Sequence, residues 1–473
     1  MNNYRNRTKI IATIGPKVSD KNNLLKLYKA GMDIARLNGS HNNLNWHEKT
    51  IKSIKRYLPK VPILFDIPGK KIRTGNLEHE PEFKRNDIII LTTQTNFKGN
   101  NKVTINNSKL HLFLQPKDEV YADDGTLAFR VQKIVKKDIY CCALNDGRLK
   151  SAKGINVPHI NLGADKLSKK EKVYIDFALK NNVNFIGISF VESKGYIDKI
   201  KKIIKKKDLK IIAKIENQGG LDNMQSIIEA SDGIMIDRGD LSIETNVESI
   251  ALYQKEIIKK CQRLSKPVIV ATEMLDSMIT KPFPTKAEIV DISNAILDGA
   301  SCVMLSGETA VGKFPLEAIK LMREVSKKIE ASNDFIKYKY IKEIPQAIGN
   351  SIALLCQTLP ITKVIAITIS GFAARALSSQ MIKQPILAIS NNYLSSKSFN
   401  LYRGTTGIYL KVNFEKDNLS HVSKCLKILW QKSLINSKDV ILVTAVGYPN
   451  KGNRMNLIQT HNVKDLKTTF KWK

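Results

Sequence analysis

At 473 residues and 42% hydrophobic content, the chain is long enough for two or three domains and apolar enough for a sizeable core. No apolar run reaches the roughly 18 residues that a membrane-spanning helix needs, and residues 1–10 lack the apolar segment of a secretory signal, so we expect no membrane association. The formal net charge of +32 suggests a polyanion partner. The lysines are spread along the chain, however, and no RNA-binding motif accompanies them, so we predict no nucleic-acid partner.

The cysteines give no sign of a metal site or a disulfide framework. There are six of them; Cys141 and Cys142 are adjacent, and the others lie far apart within apolar segments. Reduced thiols of this kind are typical of the cytoplasm, so we predict a cytoplasmic protein.

Eight short β-rich segments are separated by amphipathic helical segments, except for one long gap. The strand segments are 9–15, 33–40, 62–67, 184–191, 209–217, 232–237, 267–274 and 301–308. Two of the helices have clear boundary signals: Ser168 and Glu171 form a capping-box pattern, and a helix from Thr285 ends at Gly299. A repeated strand–helix unit of this kind predicts an α/β protein with a (β/α)8 TIM barrel.

Two regions depart from this rhythm and predict further domains. After the third strand, short β-branched runs alternate with Gly, Asn and Asp turns, which is typical of a small inserted β-barrel. Past residue 336, four apolar runs alternate with helices, which indicates a C-terminal parallel α/β domain. The predicted domains are the first part of the barrel (1–69), the inserted β-barrel lid (70–163), the second part of the barrel (164–335) and the C-terminal domain (336–473).

Polar residues close most of the predicted barrel strands. In such barrels the loops after the strands' carboxyl ends converge on one mouth, where chemistry takes place. The polar residues at or just beyond these ends are Arg36, Asn38, Ser40, Asp66, Lys71, Arg73, Lys214, Glu216, Asp237, Arg238, Gly239, Asp240, Thr272, Glu273, Ser306 and Glu308. Any one of them could be a capped strand end or part of an ion pair, but their convergence predicts a site.

Two of these strand ends suggest a particular chemistry. Lys214 and Glu216 are two residues apart on one strand, so they share a face, where they form either a core salt bridge or a binding site. Gly239 lies where a strand leads into a helix, a position at which backbone N–H groups bind small anions. Asp240 follows it and could share a cation such as Mg²⁺ with Glu216. The combination predicts a site for a metal-bound, anionic, enolisable substrate.

Seven stretches of the chain carry a resemblance to a known family. They are "TKIIATIGP" (8–16), "ARLNGSH" (35–41), "KIENQGGL" (214–221), "EASDGIMIDRGDL" (229–241), "KPVIVATEMLDSMI" (266–279), "PTKAEIVDISNAILDGA" (284–300) and "VMLSGETAVGKFPLEAI" (303–319). On these stretches the chain resembles pyruvate kinases over nearly its whole length. The resemblance implies transfer of a phosphoryl group from phosphoenolpyruvate to ADP in glycolysis, which gives pyruvate and ATP.

The resemblance also implies a role for individual residues. The substrate would contact Arg36, Lys214, Gly239, Asp240 and Thr272, and of these Arg36, Lys214 and Thr272 would be catalytic. Mg²⁺, with Mn²⁺ as a substitute, would be bound by Glu216 and Asp240. The nucleotide would contact Asn38, His41, Arg73 and Lys153. Family members are usually homotetramers, so the resemblance implies the same assembly here.

Four residues differ from the family pattern, which usually has Phe, Ala, Gly and Gln at the places of Gly39, Asp237, Ser242 and Glu273. Asp237 and Glu273 add negative charge near an anion site. One unpaired charge at about 5 Å, with an effective dielectric constant near 20, would cost roughly 3 kcal/mol. Pairing with Arg238 or a nearby lysine would remove this cost. Without it, the chain is a weakly active enzyme or a non-catalytic paralogue, and both alternatives stay open beside an active kinase.

Many pyruvate kinases also bind K⁺, in a pocket that resembles Asn38, Ser40 and Asp66 here. That pocket uses a Thr hydroxyl just after the Asp, where this chain has Ile67, and a nearby glutamate, where it has Lys71. Family members without K⁺ dependence have an apolar or amide residue and a lysine at these two places. We therefore predict that the Lys71 ammonium fills the monovalent-cation pocket and that K⁺ is not required.

Overall fold

The structure is a computed structural model of the 473-residue chain. It describes residues 7–69, 71–94, 97, 101–123, 125–158, 167–205, 208–332, 344–414, 419–446 and 455–472. The predicted domain boundaries at 69/70, 163/164 and 335/336 involve residues outside these ranges, so they stay predictions. Among the described residues, no helix has the length and apolar character that crossing a membrane requires.

The chain begins with three barrel strands and the helices between them. These elements are β1 (Lys9–Thr13), α1 (Lys21–Ala30), β2 (Ile34–Asn38), α2 (Leu44–Tyr57) and β3 (Ile63–Ile67). Helix α1 begins because the Asp20 carboxylate accepts hydrogen bonds from the Asn22 and Asn23 N–H groups, and it ends at Gly31, whose φ of 134° suits glycine.

The inserted region consists of short strands, as the sequence predicted. They are β4 (Ile72–Arg73), β5 (Glu82–Phe83), β6 (Ile88–Thr92), β7 (Val103–Thr104), β8 (Glu119–Ala122), β9 (Leu127–Val135), β10 (Asp138–Ala143), β11 (Gly147–Arg148) and β12 (Gly154–Asn156). Seven of them form one sheet in the order β4-β12-β8-β9-β10-β6-β7, around a separate apolar core. A bridge between Thr74 and Ile105 joins the regions beyond the two edge strands, so the sheet curls towards a barrel.

The second part of the barrel contains five strands and nine helices among the described residues. They are α3 (Lys169–Lys180), β13 (Phe185–Ile188), α4 (Lys194–Ile204), β14 (Lys210–Ile215), α5 (Gln218–Asp222), α6 (Met224–Ala230), β15 (Gly233–Asp237), α7 (Arg238–Glu244), α8 (Ile250–Arg263), β16 (Val268–Ala271), α9 (Lys286–Asp298), β17 (Cys302–Leu305), α10 (Gly307–Ala310) and α11 (Pro315–Ser332). The predicted caps are confirmed: Ser168 and Thr285 each form a capping box, and Gly299 ends α9 with φ of 98°. The eight parallel strands close in the order β1-β17-β16-β15-β14-β13-β3-β2, which confirms the barrel.

The C-terminal region is an α/β domain, and its sheet differs in one strand from the predicted parallel arrangement. Its elements are α12 (Ile344–Thr358), β18 (Lys363–Ile367), α13 (Phe372–Ser378), β19 (Ile386–Ser390), α14 (Tyr393–Ser398), β20 (Thr405–Tyr409), α15 (Ser420–Gln431), β21 (Val440–Ala445), β22 (Leu457–Asn462) and α16 (Val463–Thr469). Strand β22 runs antiparallel to β21 at the edge of the sheet. β22 is the next described strand after β21, and antiparallel neighbours need no crossover helix between them.

The alternation of side-chain direction along the barrel strands determines where the polar residues lie. Side chains at alternate positions of a strand share a face. The buried apolar layer inside the barrel includes Ile11, Ile34, Leu64, Ile212 and Met235. Two residues further along the same strands the side chains are Thr13, Arg36, Asp66, Lys214 and Asp237, all buried. A polar layer therefore lies directly on the apolar one, at the carboxyl mouth.

Candidate active site

A cavity of about 740 Å³ opens at this mouth, between the barrel and the inserted domain. Most of the site residues that the sequence predicted line it, namely Arg36, Asn38, Ser40, His41, Asp66, Lys71, Arg73, Lys214, Glu216, Gly239, Asp240 and Thr272. Lys153 lies on the inserted domain in an ion pair with Asp123, at 2.7 Å, while its neighbour Ala152 lines the cavity.

Lys214 is the charge centre of the cavity. Its ammonium lies 2.7 Å from Glu216 Oε1, 3.0 Å from Asp237 Oδ2 and 3.6 Å from Asp66 Oδ2. The lysine is only 5% exposed. Burial alone would lower the pKa of Lys214, but the three carboxylates outweigh it and raise that pKa well above the usual value. Lys214 therefore remains a buried cation at neutral pH.

Arg36 lies beside Lys214 and is held by the same aspartate. Its Nε and Nη2 donate to Asp66 Oδ2 at 3.1 and 2.6 Å, and its Nη1 donates to Thr13 Oγ1 at 3.0 Å. Asp66 Oδ1 is buried and receives no hydrogen bond from a described residue. Two cations and one carboxylate thus form a fixed positive wall, suited to an anionic substrate group.

Three acids form a cluster next to this wall. One carboxylate oxygen from each of Glu216, Asp237 and Asp240 lies within 4.8 Å of the others, close enough to share a metal ion. Glu216 Oε2 accepts the Phe190 N–H at 2.6 Å, whereas its Oε1 contacts Lys214 without hydrogen-bond geometry. Burial and the neighbouring acids raise the pKa of Glu216 despite Lys214. The donor set therefore fits a hard divalent cation such as Mg²⁺.

Asp237 forms an ion pair, so the cost expected for an unpaired charge at this position does not arise. Its partner is Lys214 rather than Arg238, which donates from Nη1 to both oxygens of Asp291 at 2.7 Å. Burial alone would raise the pKa of Asp237, but Lys214 and Arg36 together lower it. Asp237 is thus a stable anion in the site, and its charge is compensated.

The loop after β16 holds the predicted carboxylate contacts in a constrained conformation. Thr272 and Glu273 have φ of 65° and 53°, values that a β-branched residue such as threonine rarely adopts. Arg238 Nη2 donates to the carbonyl oxygens of both residues, at 2.7 and 3.2 Å, and so fixes the loop. The Gly239 N–H donates to Thr272 Oγ1 at 2.8 Å, which places two predicted substrate contacts side by side.

Lys71 has a partner that the sequence did not predict. Its ammonium lies 2.6 Å from Asp240 Oδ1, a predicted magnesium ligand, while Asp66 is engaged by Arg36 and Lys214. Lys71 also lies against Gly154, where an added Cβ would approach the lysine Cε to 2.7 Å. Lys71 and the residues of the predicted cation pocket line the same cavity. The role of Lys71 as a substitute for K⁺ stays a prediction.

The predicted nucleotide contacts lie at the outer part of the cavity. Asn38 Oδ1 accepts the Ser40 N–H at 3.0 Å, and the His41 carbonyl binds the His47 ring at 2.8 Å. Arg73 Nη1 donates to the Ala152 carbonyl at 3.0 Å and so stays within the inserted domain.

Gly39, one of the four departures from the family pattern, lies where the β2 and β3 ends pack closely. A Cβ at this position would come within 2.7 Å of the Asp66 carbonyl oxygen and 3.0 Å of the Tyr174 ring. A larger residue would therefore force these strand ends apart, next to the Arg36–Asp66 pair.

Two family models match consecutive parts of the chain. The barrel domain of pyruvate kinase matches residues 5–319, and its alpha/beta domain matches residues 346–461. The chain belongs to the pyruvate kinase family. Members of this family are phosphotransferase enzymes, and the chain is one of them.

Pyruvate kinases from several organisms are similar to the chain along nearly its full length. Those of Thermococcus litoralis and Thermotoga maritima are each 35% identical to it, over 93% and 96% of this chain and 94% and 99% of their own. A crystal structure of a pyruvate kinase from Cryptosporidium parvum superimposes with a TM-score of 0.88 and 33% identity, covering 97% of this chain and 96% of that one.

Some residues of this pyruvate kinase-type site were missed by sequence reasoning. Ser189 and Phe190 line the cavity; Lys214 donates to Ser189 Oγ at 3.4 Å, and Phe190 holds Glu216 through its N–H. The polar end of the fourth predicted strand, "GISFV", was the available signal. Glu308, in contrast, accepts the Leu275 and Ser306 N–H groups, so it supports loop structure.

Proposed function

We propose that the chain transfers the phosphoryl group of phosphoenolpyruvate to ADP, giving pyruvate and ATP as a step of glycolysis. The observation that carries this proposal is the buried Lys214 ammonium between Arg36 and three acids, in a cavity at the barrel mouth. Phosphoryl transfer requires mainly positioning and charge neutralisation, and this arrangement supplies both.

Each side chain has a defined part in this proposal. Arg36 binds the phosphoryl group, and Lys214 neutralises the charge that develops on that group and on the enolate. The Thr272 hydroxyl and the N–H groups of Gly239 and Asp240 bind the substrate carboxylate, and Thr272 is a catalytic residue together with Arg36 and Lys214. All these groups lie on strand ends or helix starts, so they need little reorganisation.

The acid cluster supports magnesium as the cofactor, with Mn²⁺ as a substitute. Glu216 and Asp240 would hold the ion, since their oxygens lie within 4.8 Å of each other and both residues line the cavity. When bound, the ion neutralises negative charge on the substrate.

The nucleotide would lie on the outer side of the cavity, against the inserted domain. Its contacts would be Asn38, His41, Arg73 and Lys153. Movement of the inserted sheet towards the barrel would exclude water, which otherwise competes with ADP for the phosphoryl group. Lys71 and Arg73 lie at the junction between β3 and this sheet, so closure would act on the cavity directly.

We further propose that K⁺ is not required. The Lys71 ammonium already brings a monovalent positive charge into the cavity, and Ile67 offers no side-chain oxygen to a free cation.

We also propose an oligomeric state and a cellular location for the protein. A homotetramer is the assembly we propose, on the family resemblance and on exposed apolar residues around α8 and α9. A cytoplasmic location is consistent with the six cysteines, all of which are free thiols.

A coupled assay for ATP formed from phosphoenolpyruvate, ADP and Mg²⁺ tests the proposed reaction. We expect ATP formation in proportion to enzyme concentration, and none when either substrate is omitted. A folded protein that forms no ATP above the blank would instead support the non-catalytic paralogue that the charged departures leave open.

A further inference from the structure

Asp237 stands out among the cavity residues because it is a buried acid next to two predicted metal ligands. It is 5% exposed and ends β15, while Glu216 follows the end of the adjacent strand β14. Asp240 lies one turn further along, in helix α7. Asp237 and Asp240 are thus carried by regular elements, and Glu216 lies directly after a barrel strand, so the barrel fixes the backbone at all three positions.

The geometry brings these acids to one point. One oxygen of each lies within 4.8 Å of the other two, a separation that a single ion can bridge with little movement. Glu216 Oε1 is buried and receives no hydrogen bond from a described residue, although it faces Lys214. A divalent cation that approaches from the cavity would take the place of Lys214 as the charge partner of this buried oxygen.

The surrounding lysines can keep other partners if an ion binds. Lys214 contacts Asp66 and Glu216 as well as Asp237, so it retains a counter-charge when Asp237 turns to a metal. The Lys71 ammonium lies 2.6 Å from Asp240 Oδ1. Hard divalent cations prefer several carboxylate oxygens, and each added anionic ligand raises the affinity of the site.

We propose that Asp237 is a third carboxylate ligand of the divalent cation, so that Glu216, Asp237 and Asp240 hold the ion before substrate binds. This inference rests on the proposed function, because it concerns the same metal site. It assigns to Asp237 a role beyond its ion pair with Lys214, and it predicts that the protein alone has substantial affinity for the metal.

Binding of Mn²⁺ to the protein in the absence of substrate and nucleotide is the first measurement, by electron paramagnetic resonance of the free ion. We expect Asp237→Asn, which keeps the side-chain shape, to weaken Mn²⁺ binding by at least roughly tenfold. Thermal unfolding of the variant shows whether its fold is intact.

A thiolate substitution separates direct ligation from a through-space charge effect. In Asp237→Cys, a metal-facing thiolate should select the soft ion Cd²⁺ over Mn²⁺ and give a sulfur-to-cadmium charge-transfer band. The matched control is Ser242→Cys, which places a thiol in the same cavity but outside the acid cluster. The spectrum of the unsubstituted protein with Cd²⁺ corrects for the native cysteines.

The outcomes are distinct. A new band in Asp237→Cys and none in Ser242→Cys supports the assignment. Weakened Mn²⁺ binding without a cadmium band, or unchanged Mn²⁺ binding in Asp237→Asn, overturns it. If Asp237→Cys does not fold, the Mn²⁺ titration of Asp237→Asn decides. Neither metal experiment measures turnover, so the two proposals can fail separately. If ATP is formed but the metal tests fail, the proposed function stands without the Asp237 ligand. If the metal tests succeed but no ATP is formed, Asp237 remains a ligand and the proposed function fails.

Discussion

Lys214 is the residue on which the proposed chemistry depends most directly. Substitution by methionine keeps the length of the side chain and removes its charge. We expect Lys214→Met to lower turnover by about three orders of magnitude or more, since a charge in a water-excluded site contributes several kcal/mol to the transition state. Steady-state turnover, measured with saturating phosphoenolpyruvate and ADP, is the test.

The matched control for Lys214→Met lies on the same strand. Lys210 begins β14, is half-buried, and faces Asp232 at 4.0 Å outside the cavity. Lys210→Met should keep turnover near that of the unsubstituted protein. Because Lys214→Met leaves three buried carboxylates without their cation, circular dichroism must show that it folds. Near-normal turnover in folded Lys214→Met would overturn the assignment.

We predict that Lys71 and Ile67 determine whether the enzyme depends on monovalent cations. With Mg²⁺ present, the unsubstituted enzyme should turn over at close to its full rate in a buffer free of K⁺, Na⁺ and NH₄⁺. The double variant Lys71→Glu with Ile67→Thr should acquire a K⁺ requirement, because it replaces a tethered ammonium by groups that bind a free cation. Rates are compared across a K⁺ titration, with tetramethylammonium holding the ionic strength constant.

A charge control for this experiment is available one residue away. Lys70 is predicted from the sequence to be only a solvated turn residue, and it lies outside the described residues. Lys70→Glu makes the same change of charge and should leave the enzyme independent of K⁺. Strong stimulation of the unsubstituted protein by K⁺ would contradict the prediction.

At the scale of elements, the sequence predicted what depends on local pattern. Short β-rich apolar runs located all eight barrel strands, and the polar residues at or just beyond their ends pointed to Arg36, Lys214 and Asp240, because every such end opens on one mouth. The capping boxes at Ser168 and Thr285 were also predictable, because each depends on residues only three positions apart in the sequence.

Contacts between distant parts of the chain could not be predicted in this way. Lys71 meets Asp240, and Arg238 meets Asp291, only because the closed barrel and the inserted sheet bring separate segments together. Strand β22 was not among the four predicted runs, because only its first two residues, Leu457 and Ile458, are apolar, and its pairing with β21 was missed with it.

A buried acid at the junction of two elements predicts a pH dependence. The Asn156 side chain, on β12 of the inserted sheet, donates to Glu244 Oε1 on α7 of the barrel at 2.6 Å. Burial, reinforced by Asp240, raises the pKa of Glu244 from 4.5 to about 7. The folded protein therefore keeps a proton that the unfolded chain loses above about pH 4.5, so the free energy of unfolding falls as pH rises towards 7.

The predicted slope is that of a single proton, at most about 1.4 kcal/mol per pH unit between roughly pH 5 and 7. Urea unfolding of the unsubstituted protein and of Glu244→Gln across this range measures the contribution as the difference between their slopes. Glu248→Gln, at an exposed position just beyond α7, should leave the slope unchanged. Equal slopes for Glu244→Gln and the unsubstituted protein would refute the assignment.

At the scale of the whole molecule, the barrel surface carries an apolar region on two neighbouring helices. Five exposed side chains lie on α8 and α9 or on the residues leading into them, namely Val247, Leu252, Phe283, Val290 and Leu297. Clustered exposed apolar residues on a protein surface are typical of interaction sites. The homotetramer implied by the family resemblance would bury them against a second copy, in an interface repeated by symmetry.

Light scattering coupled to size-exclusion chromatography tests this assembly. The unsubstituted protein should have a mass four times that of one 53.2 kDa chain. Leu252→Lys, at a side chain that is 67% exposed, should reduce the mass at equal protein concentration, because each buried lysine would be repeated at every symmetric contact. Val173→Lys, on the exposed face of α3, changes a similar residue away from these helices and should leave the mass unchanged. A single-chain mass for the unsubstituted protein would rule out the tetramer, and an unaltered mass for Leu252→Lys would place the interface elsewhere.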